Sequence, residues 1–434
     1  MWAYQTSFYQ FYPLGFCGAP KQNDGILVNR ISKIENFIPH LVKLNIGGIY
    51  LSPIFDSDNH GYDTRDYGKI DCRLGTNDDF KNLCEKLHSN NIKVVLDGVF
   101  NHVGRGFWAF EDVKKNRENS PYRYWFNIDF GGNSCYDDGF WYEGWEGHYE
   151  LVKLNLDNND VVEHIFENVG KWIDEFKIDG LRLDVAYLLS ENFMHRLREF
   201  TSSKKADFAL IGECIHGDYN KILNHFDSVT NYECYKGLHS SFNSMNMFEI
   251  AHSLGRQFGS EQWCLYRGRH LLNFVDNHDV SRIASILNDK EQIKSLYTML
   301  FAMPGIPCIY YGSEWGILGE KSHGDDALRP EIENPSWNDL CEHIAKLAEI
   351  KNNSHSLNYG DYFNLQIQNK YLILERKSEN QRVIVAVNAS GEEQTAHFNA
   401  NCGRGKDLMT GQMHDFGGGS TLPAYSSFIW ECEV

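Results

Sequence analysis

Arg182 and Asp184 stand two residues apart in the apolar run "GLRLDVA" (180–186). Side chains alternate along a strand, so these two share one face while Leu181, Leu183 and Val185 take the other. A guanidinium and a carboxylate in an apolar interior are costly unless they pair or act. Other apolar runs close on similar residues: Asp97, Asn101 and His102 after "KVVL", Glu213 after "FALIG", and Asn277, His278 and Asp279 after "NFVD". A lone Asp or Glu at a strand end is more often a cap or loop anchor, and Asp97 suits that structural role. A lone His is more often a satisfied hydrogen-bonding group. As a set, three carboxyls on separate strands fit glycoside hydrolysis, which pairs an acid with a nucleophile or base. Arg182 is expected to keep Asp184 ionised. Burial is expected to raise the Glu213 pKa towards that of a general acid. Asp279 could stabilise a cationic sugar ring in the transition state.

The elements that must position these residues are legible as alternating runs. Segments 47–54, 92–100, 180–186, 208–215, 271–279 and 306–314 predict buried strands, and weaker runs at 8–16 and 228–235 bring the number to eight. Between them, Ile31, Ile34, Phe37, Ile38, Leu41 and Leu44 keep a helical period. So do Val162, Ile165, Phe166, Val169, Trp172, Ile173 and Phe176, and again Ile293, Leu296, Leu300 and Met303. Wholly apolar strands alternating with helices imply an α/β fold with a parallel sheet covered on both faces. Eight units predict a (β/α)8 TIM barrel, with catalytic residues at the C-terminal strand ends. A doubly wound sheet is the rival, but no G-x-G-x-x-G follows the first strand.

Two regions depart from this rhythm. Residues 103–155 are rich in Gly and aromatics with no helical period, and read as a small excursion after strand three. After 355 the runs "KYLILERK", "RVIVAVNAS" and "AYSSFIWE" predict a C-terminal all-β sandwich. The expected division is a barrel of 1–102 and 156–354, an excursion of 103–155 and a β-domain of 355–434.

A formal net charge of -18 disfavours nucleic acid and anionic membrane as partners. No apolar run is long enough to span a membrane, and "MWAYQTSFYQ" carries no signal-peptide pattern. The 11 cysteines are scattered without a C-x-x-C pair, which predicts buried free thiols and a cytoplasmic location.

In order along the chain, "DGVFNHVG" (97–104), "GLRLDVA" (180–186), "GEC" (212–214) and "FVDNHD" (274–279) resemble the four short motifs of glycoside hydrolase family 13, the α-amylase family. "HGYDTRDYGKID" (60–71) and "YYGSEWG" (310–316) look like its segments after the second and eighth strands, so the resemblance covers roughly residues 1–350. It implies Asp184 as nucleophile, Glu213 as acid/base and Asp279 as transition-state stabiliser, with retention of configuration. It further implies that Arg182, His102 and His278 hold the reacting sugar, that Tyr62 stacks on it, and that Asp97 is structural. "VKLN" (152–155), "GECIH" (212–216) and "GDDALRP" (324–330) resemble segments of neopullulanases, cyclomaltodextrinases and maltogenic amylases. Asp325 and Arg329 would then grip a glucose at the donor end, against the plainer reading of a surface ion pair. Ile215 stands where those relatives carry a Trp. "YLL" (187–189) replaces a Lys-His pair tied to a structural calcium, leaving Asn101 as the one candidate ligand and no cofactor required.

Those relatives often carry an extra N-terminal β-domain that dimerises them. This chain starts close to the first barrel strand, so a monomer is expected. Of the excursion aromatics Trp108, Tyr122, Trp125, Phe130, Trp141, Tyr142 and Trp145, most are expected in its own core and one or two at the cleft. The resemblance implies a retaining α-glucan hydrolase acting on α-1,4 bonds of maltooligosaccharides, with α-1,6 bonds or cyclodextrins as further substrates. An α-glucosyltransferase or phosphorylase would use the same glucosyl-enzyme. A non-catalytic glucan-binding subunit would not need all three carboxylates.

Overall fold

The computed structural model describes residues 1–434. Eight parallel strands form one sheet: β1 (Phe8–Phe11), β2 (Gly48–Leu51), β3 (Lys93–Gly98), β4 (Gly180–Leu183), β5 (Ala209–Gly212), β6 (Ser228–Val229), β7 (Leu272–Phe274) and β8 (Ile306–Tyr310). Their order is β6-β5-β4-β3-β2-β1-β8-β7. A single bridge, Thr230 to Leu272, joins the two ends into a barrel. The strands are almost wholly buried, as a sheet with side chains inside and helices outside requires.

The intervening helices follow the apolar periods. Asn158 caps the helix Asn159–Phe176 by accepting the Asp160 N–H, and a capping box of Thr76 and Asp79 opens the helix Asn77–Ser89. Ile31, Ile34, Phe37, Leu41 and Leu44 are all buried as expected, but the segment is not one helix. A 3-10 stretch, Ile31–Phe37, gives way to an α-helix, Ile38–Lys43, with Pro39 in its first turn. Proline lacks the N–H that a continuous helix would need there.

Three expectations need correction. β6 is only Ser228–Val229, because the Asn231 side chain accepts the Cys234 N–H and starts the helix Tyr232–Ser244. β4 ends at Leu183, and Val185 takes a left-handed conformation with φ 40°, so it does not continue the strand. The excursion does contain a helix, Trp108–Asn116, whose nine residues bury Ala109, Phe110 and Val113. So short a period is masked by the aromatics around it.

The C-terminal unit is a six-stranded antiparallel sheet, in the order Asp361–Ile367, Tyr371–Lys377, Arg382–Asn388, Ser427–Cys432, Arg404–Asp407 and Met413–Asp415. One face, with Leu372, Leu374, Val383, Val385 and Ile429, joins the barrel's core. The other, with Ile373, Ile384 and Trp430, packs with Ala396 and Leu422 of a two-stranded ladder. All eleven cysteines are free, and no helix is long and apolar enough to cross a membrane.

Candidate active site

Parallel register sets Arg182 of β4 directly beside Asp97 of β3. Arg182 Nη1 donates to both Asp97 oxygens, at 2.8 and 2.9 Å, and to Asp184 Oδ1 at 2.9 Å. Its Nη2 pairs with Glu213 Oε1 from the end of β5. One buried guanidinium therefore spans carboxyls from three strands, a denser arrangement than a single charge clamp on Asp184. The left-handed turn at Val185 lifts the chain off the strand just after Asp184, and its N–H donates to Glu213 Oε2 at 3.0 Å. A β-branched residue seldom takes this conformation, at a cost on the order of 1–3 kcal/mol, which marks a site held by its surroundings.

Burial pushes the Asp97, Asp184 and Glu213 carboxyls up, against the pull of Arg182. The expected depression of Asp184 is thus outweighed by burial: its pKa is raised well above the ordinary value. The three carboxyls share one cation, so their titrations are linked and belong to the set rather than to one residue. Asp97 accepts further hydrogen bonds from Tyr50 (2.9 Å) and Tyr62 (3.1 Å), which favour its ionised form. Burial raises Asp279 too, but His278, Arg329 and Arg182 outweigh it and bring it below its ordinary value. His278, itself held down at about 3 chiefly by burial, is neutral at pH 7, so Arg329 carries the charge that matters there.

The two histidines have assignable tautomers. Asn101 Nδ2 donates to His102 Nδ1 at 3.1 Å and Gln10 Nε2 to His278 Nδ1 at 2.8 Å, so both Nε2 atoms carry the proton. His278 Nε2 faces the Tyr62 hydroxyl and Asp279 Oδ2, the latter at 3.1 Å. His102 Nε2 is buried without a partner, 3.9 Å from Asp184 Oδ2. Burial keeps His102 neutral down to about 3.

Asp184, Glu213, Asp279 and His102 line a cavity of about 440 Å³ at the C-terminal strand ends, together with Trp145, Ile215, Lys321, Asp325 and Arg329, whereas Arg182, Asp97 and His278 are not in its lining. Tyr62 lines it as well, its ring stacked on His278 at 5.6 Å. Arg329 Nη2 lies 3.2 Å from both Asp279 Oδ1 and Asp325 Oδ2, so the Asp325–Arg329 pair belongs to the cavity wall and also holds Asp279. Of the seven excursion aromatics, Trp145 alone lines the cavity; Trp125 and Tyr142 are buried in the excursion's own core. Asn101 Nδ2 is engaged by His102, which leaves its Oδ1, the atom a calcium ion would use, without a protein partner.

Gln10, Tyr12, Tyr50 and the Val185 N–H escaped sequence reasoning. Gln10 and Tyr50 were detectable as polar groups inside apolar strands. Tyr12, under the Arg329 guanidinium at 4.5 Å, gave no such signal.

An eight-stranded parallel barrel with three carboxylates at its C-terminal mouth defines a carboxylate-dependent glycosidase scaffold. The alpha-amylase catalytic domain family matches residues 10–358, and the chain belongs to that family of glycoside hydrolases. It is 31% identical to a maltogenic alpha-amylase of Bacillus acidopullulyticus, over 90% of this chain and 70% of that one. It is 30% identical to a cyclomaltodextrinase of Thermoanaerobacter pseudethanolicus, over 99% of this chain and 78% of that one. Among solved structures, a cyclic alpha-maltosyl-(1→6)-maltose hydrolase from Arthrobacter globiformis superposes with a TM-score of 0.84 at 26% identity, covering 100% of both chains.

Proposed function

We propose that this protein is a retaining α-glucan hydrolase that cleaves α-1,4-glucosidic bonds of maltooligosaccharides and also accepts α-1,6-linked or cyclic maltodextrins. The observation that carries this reading is the Arg182 guanidinium bridging Asp184 and Glu213. Two carboxyls held by one rigid fork support a covalent mechanism, in which such groups stand about 5–5.5 Å apart with too little room for a water on the far side of the sugar. Relatives named maltogenic amylase, cyclomaltodextrinase and neopullulanase support the substrate class.

In the proposed reaction Asp184 attacks the anomeric carbon while Glu213 gives its proton to the glycosidic oxygen, and the leaving sugar departs with that proton. Water then gives a proton to Glu213 and attacks the same carbon, releasing Asp184. Two inversions give net retention. The attack needs Asp184 ionised and Glu213 protonated, and burial raises the Glu213 pKa towards that task. The free His102 Nε2–H supplies a donor for a sugar hydroxyl beside Asp184. Asp279, kept ionised by Arg329, faces the carbon as positive charge develops. Tyr62 completes the wall of the same sugar site, with His278 stacked on its ring.

The test is a product profile over maltose, maltohexaose, pullulan and a cyclodextrin, with the first product's anomer read by NMR. The α-anomer is expected to appear first; initial β-anomer would exclude the covalent route. A cytoplasmic location goes with this proposal, supported by the eleven free thiols and by intracellular maltogenic amylase of Bacillus subtilis, 31% identical over 74% of this chain. A monomer is likewise proposed, to be read by gel filtration.

A further inference from the structure

A second hollow adjoins the catalytic cavity at Ile215. That side chain lines both, and it stands two residues after Glu213. The second hollow measures about 630 Å³, against about 440 Å³ for the cavity that takes the reacting sugar. The loop 216–220 lines it beyond Ile215. Glu233 and Lys236 of the helix Tyr232–Ser244, Arg256 of the helix Met247–Phe258 and Leu265 in the loop ahead of β7 complete it. None of these residues belongs to the strand-end motifs that carry the catalytic groups.

Defined contacts hold these walls in place. Arg256 Nε donates to Glu233 Oε1 at 3.2 Å, which ties the two helices together. The Leu265 N–H donates to the Arg256 carbonyl at 3.0 Å, and the Tyr266 ring stacks on Tyr219 at 5.3 Å. The loop ahead of β7 is thereby fixed to the helix Met247–Phe258 on one side and to the loop 216–220 on the other. The His216 ring lies 5.4 Å from that of Tyr187. A groove formed in advance costs little ordering entropy when a ligand enters. Ile215 and Leu265 each leave 38% of their surface exposed in this otherwise polar groove. Exposed apolar faces beside a few placed polar groups suit a sugar chain, whose rings offer C–H faces and a rim of hydroxyls. Asn220, Glu233 and Lys236 supply donors and acceptors for that rim. The direction follows from the task of Glu213. It protonates the oxygen of the departing sugar, so the chain that continues from it, 214–220, runs along the leaving side.

We propose that this groove binds the leaving arm of an α-glucan, so that Lys236 and Leu265 select substrates that extend past the first departing glucose. The inference rests on the catalytic reading above and adds a polarity to it: substrate length is read on the leaving side. Contacts with such remote units act at the cleaved bond by holding the chain in the reactive position. An unrelated surface cleft would explain the volume. It would not explain a wall residue shared with the catalytic cavity, two positions from its acid.

The test compares kcat/KM for maltohexaose with that for p-nitrophenyl α-glucoside, whose leaving group is a single ring. The ratio of the two is expected to fall by about tenfold in Leu265→Ser combined with Lys236→Ala. Both positions are exposed, so the circular dichroism spectrum and Tm should match the parent. Cleavage position gives a second readout. With maltohexaose isotopically labelled at its reducing end, the labelled product of the parent should be maltose or longer, and the variant should release more labelled glucose. An unchanged ratio and an unshifted label in the folded variant would overturn the groove and leave the catalytic reading standing. No turnover of either substrate by the parent would overturn the catalytic reading, and the groove with it.

Discussion

Asp184 and Glu213 hold to one guanidinium, and at the scale of single residues that contact decides most of what can be tested. Asp184→Ala removes the proposed nucleophile and should abolish maltotriose turnover while leaving the circular dichroism spectrum unchanged. Glu213→Gln keeps the Arg182 contact but no longer exchanges a proton, and should lower kcat by about 10²–10⁴-fold. Turnover retained by both would sink the assignment. His102 offers a pH test. Its folded pKa of about 3 lies below its unfolded value of about 6.5, so the unfolded chain binds the extra proton in between. Stability from the neutral imidazole is present above the unfolded pKa and is lost as pH falls towards the folded one. The stability advantage of the parent over His102→Gln should therefore shrink by about 2 kcal/mol between pH 7 and pH 5, read by urea unfolding at the two pH values. A constant difference would mean that His102 is not buried neutral. Asp184, Glu213, Asp279 and both histidines were legible as polar groups closing apolar runs. That Arg182 serves three carboxyls was not, because Asp97 is 85 residues away and only strand register brings it alongside.

At the scale of elements, the weakest point of the barrel is the closure between β6 and β7, where a single bridge replaces a ladder. Asn231 compensates for that. Its side chain accepts from the Cys234 and Gln257 amides, at 3.2 and 3.1 Å, and donates to Gln257 Oε1 and Asn273 Oδ1, at 3.0 and 2.9 Å. One fully buried residue thus caps a helix and joins it to β7. Asn231→Ala should cost about 2–4 kcal/mol, since it removes a cap and leaves buried amides unpaired. A loss under 1 kcal/mol in urea unfolding would show that the closure does not depend on it. The same residue explains why the sixth strand is shorter than the run 228–235: an apolar pattern six to eight residues long does not show where a strand gives way to a capped helix start. Pro39 and the left-handed Val185 acted in the same way, each ending an element that hydrophobicity alone would have continued.

For the whole molecule, dependence on a structural metal is open to test. Because "YLL" (187–189) replaces the Lys-His pair tied to calcium, activity on maltotriose is expected to persist in EDTA and to show no gain on added calcium. A collapse reversed only by calcium would contradict this. The sequence by itself determined the barrel, the excursion, the C-terminal sheet and the identity of the residues at the mouth. Each of these depends on local periodicity and on residue type, which are written in order along the chain. Tertiary structure alone decided which groups share a charge, that burial outweighs Arg182 at Asp184, and that Arg329 holds Asp279. Those properties depend on through-space distance and on exclusion of water, and neither exists until distant segments pack against one another.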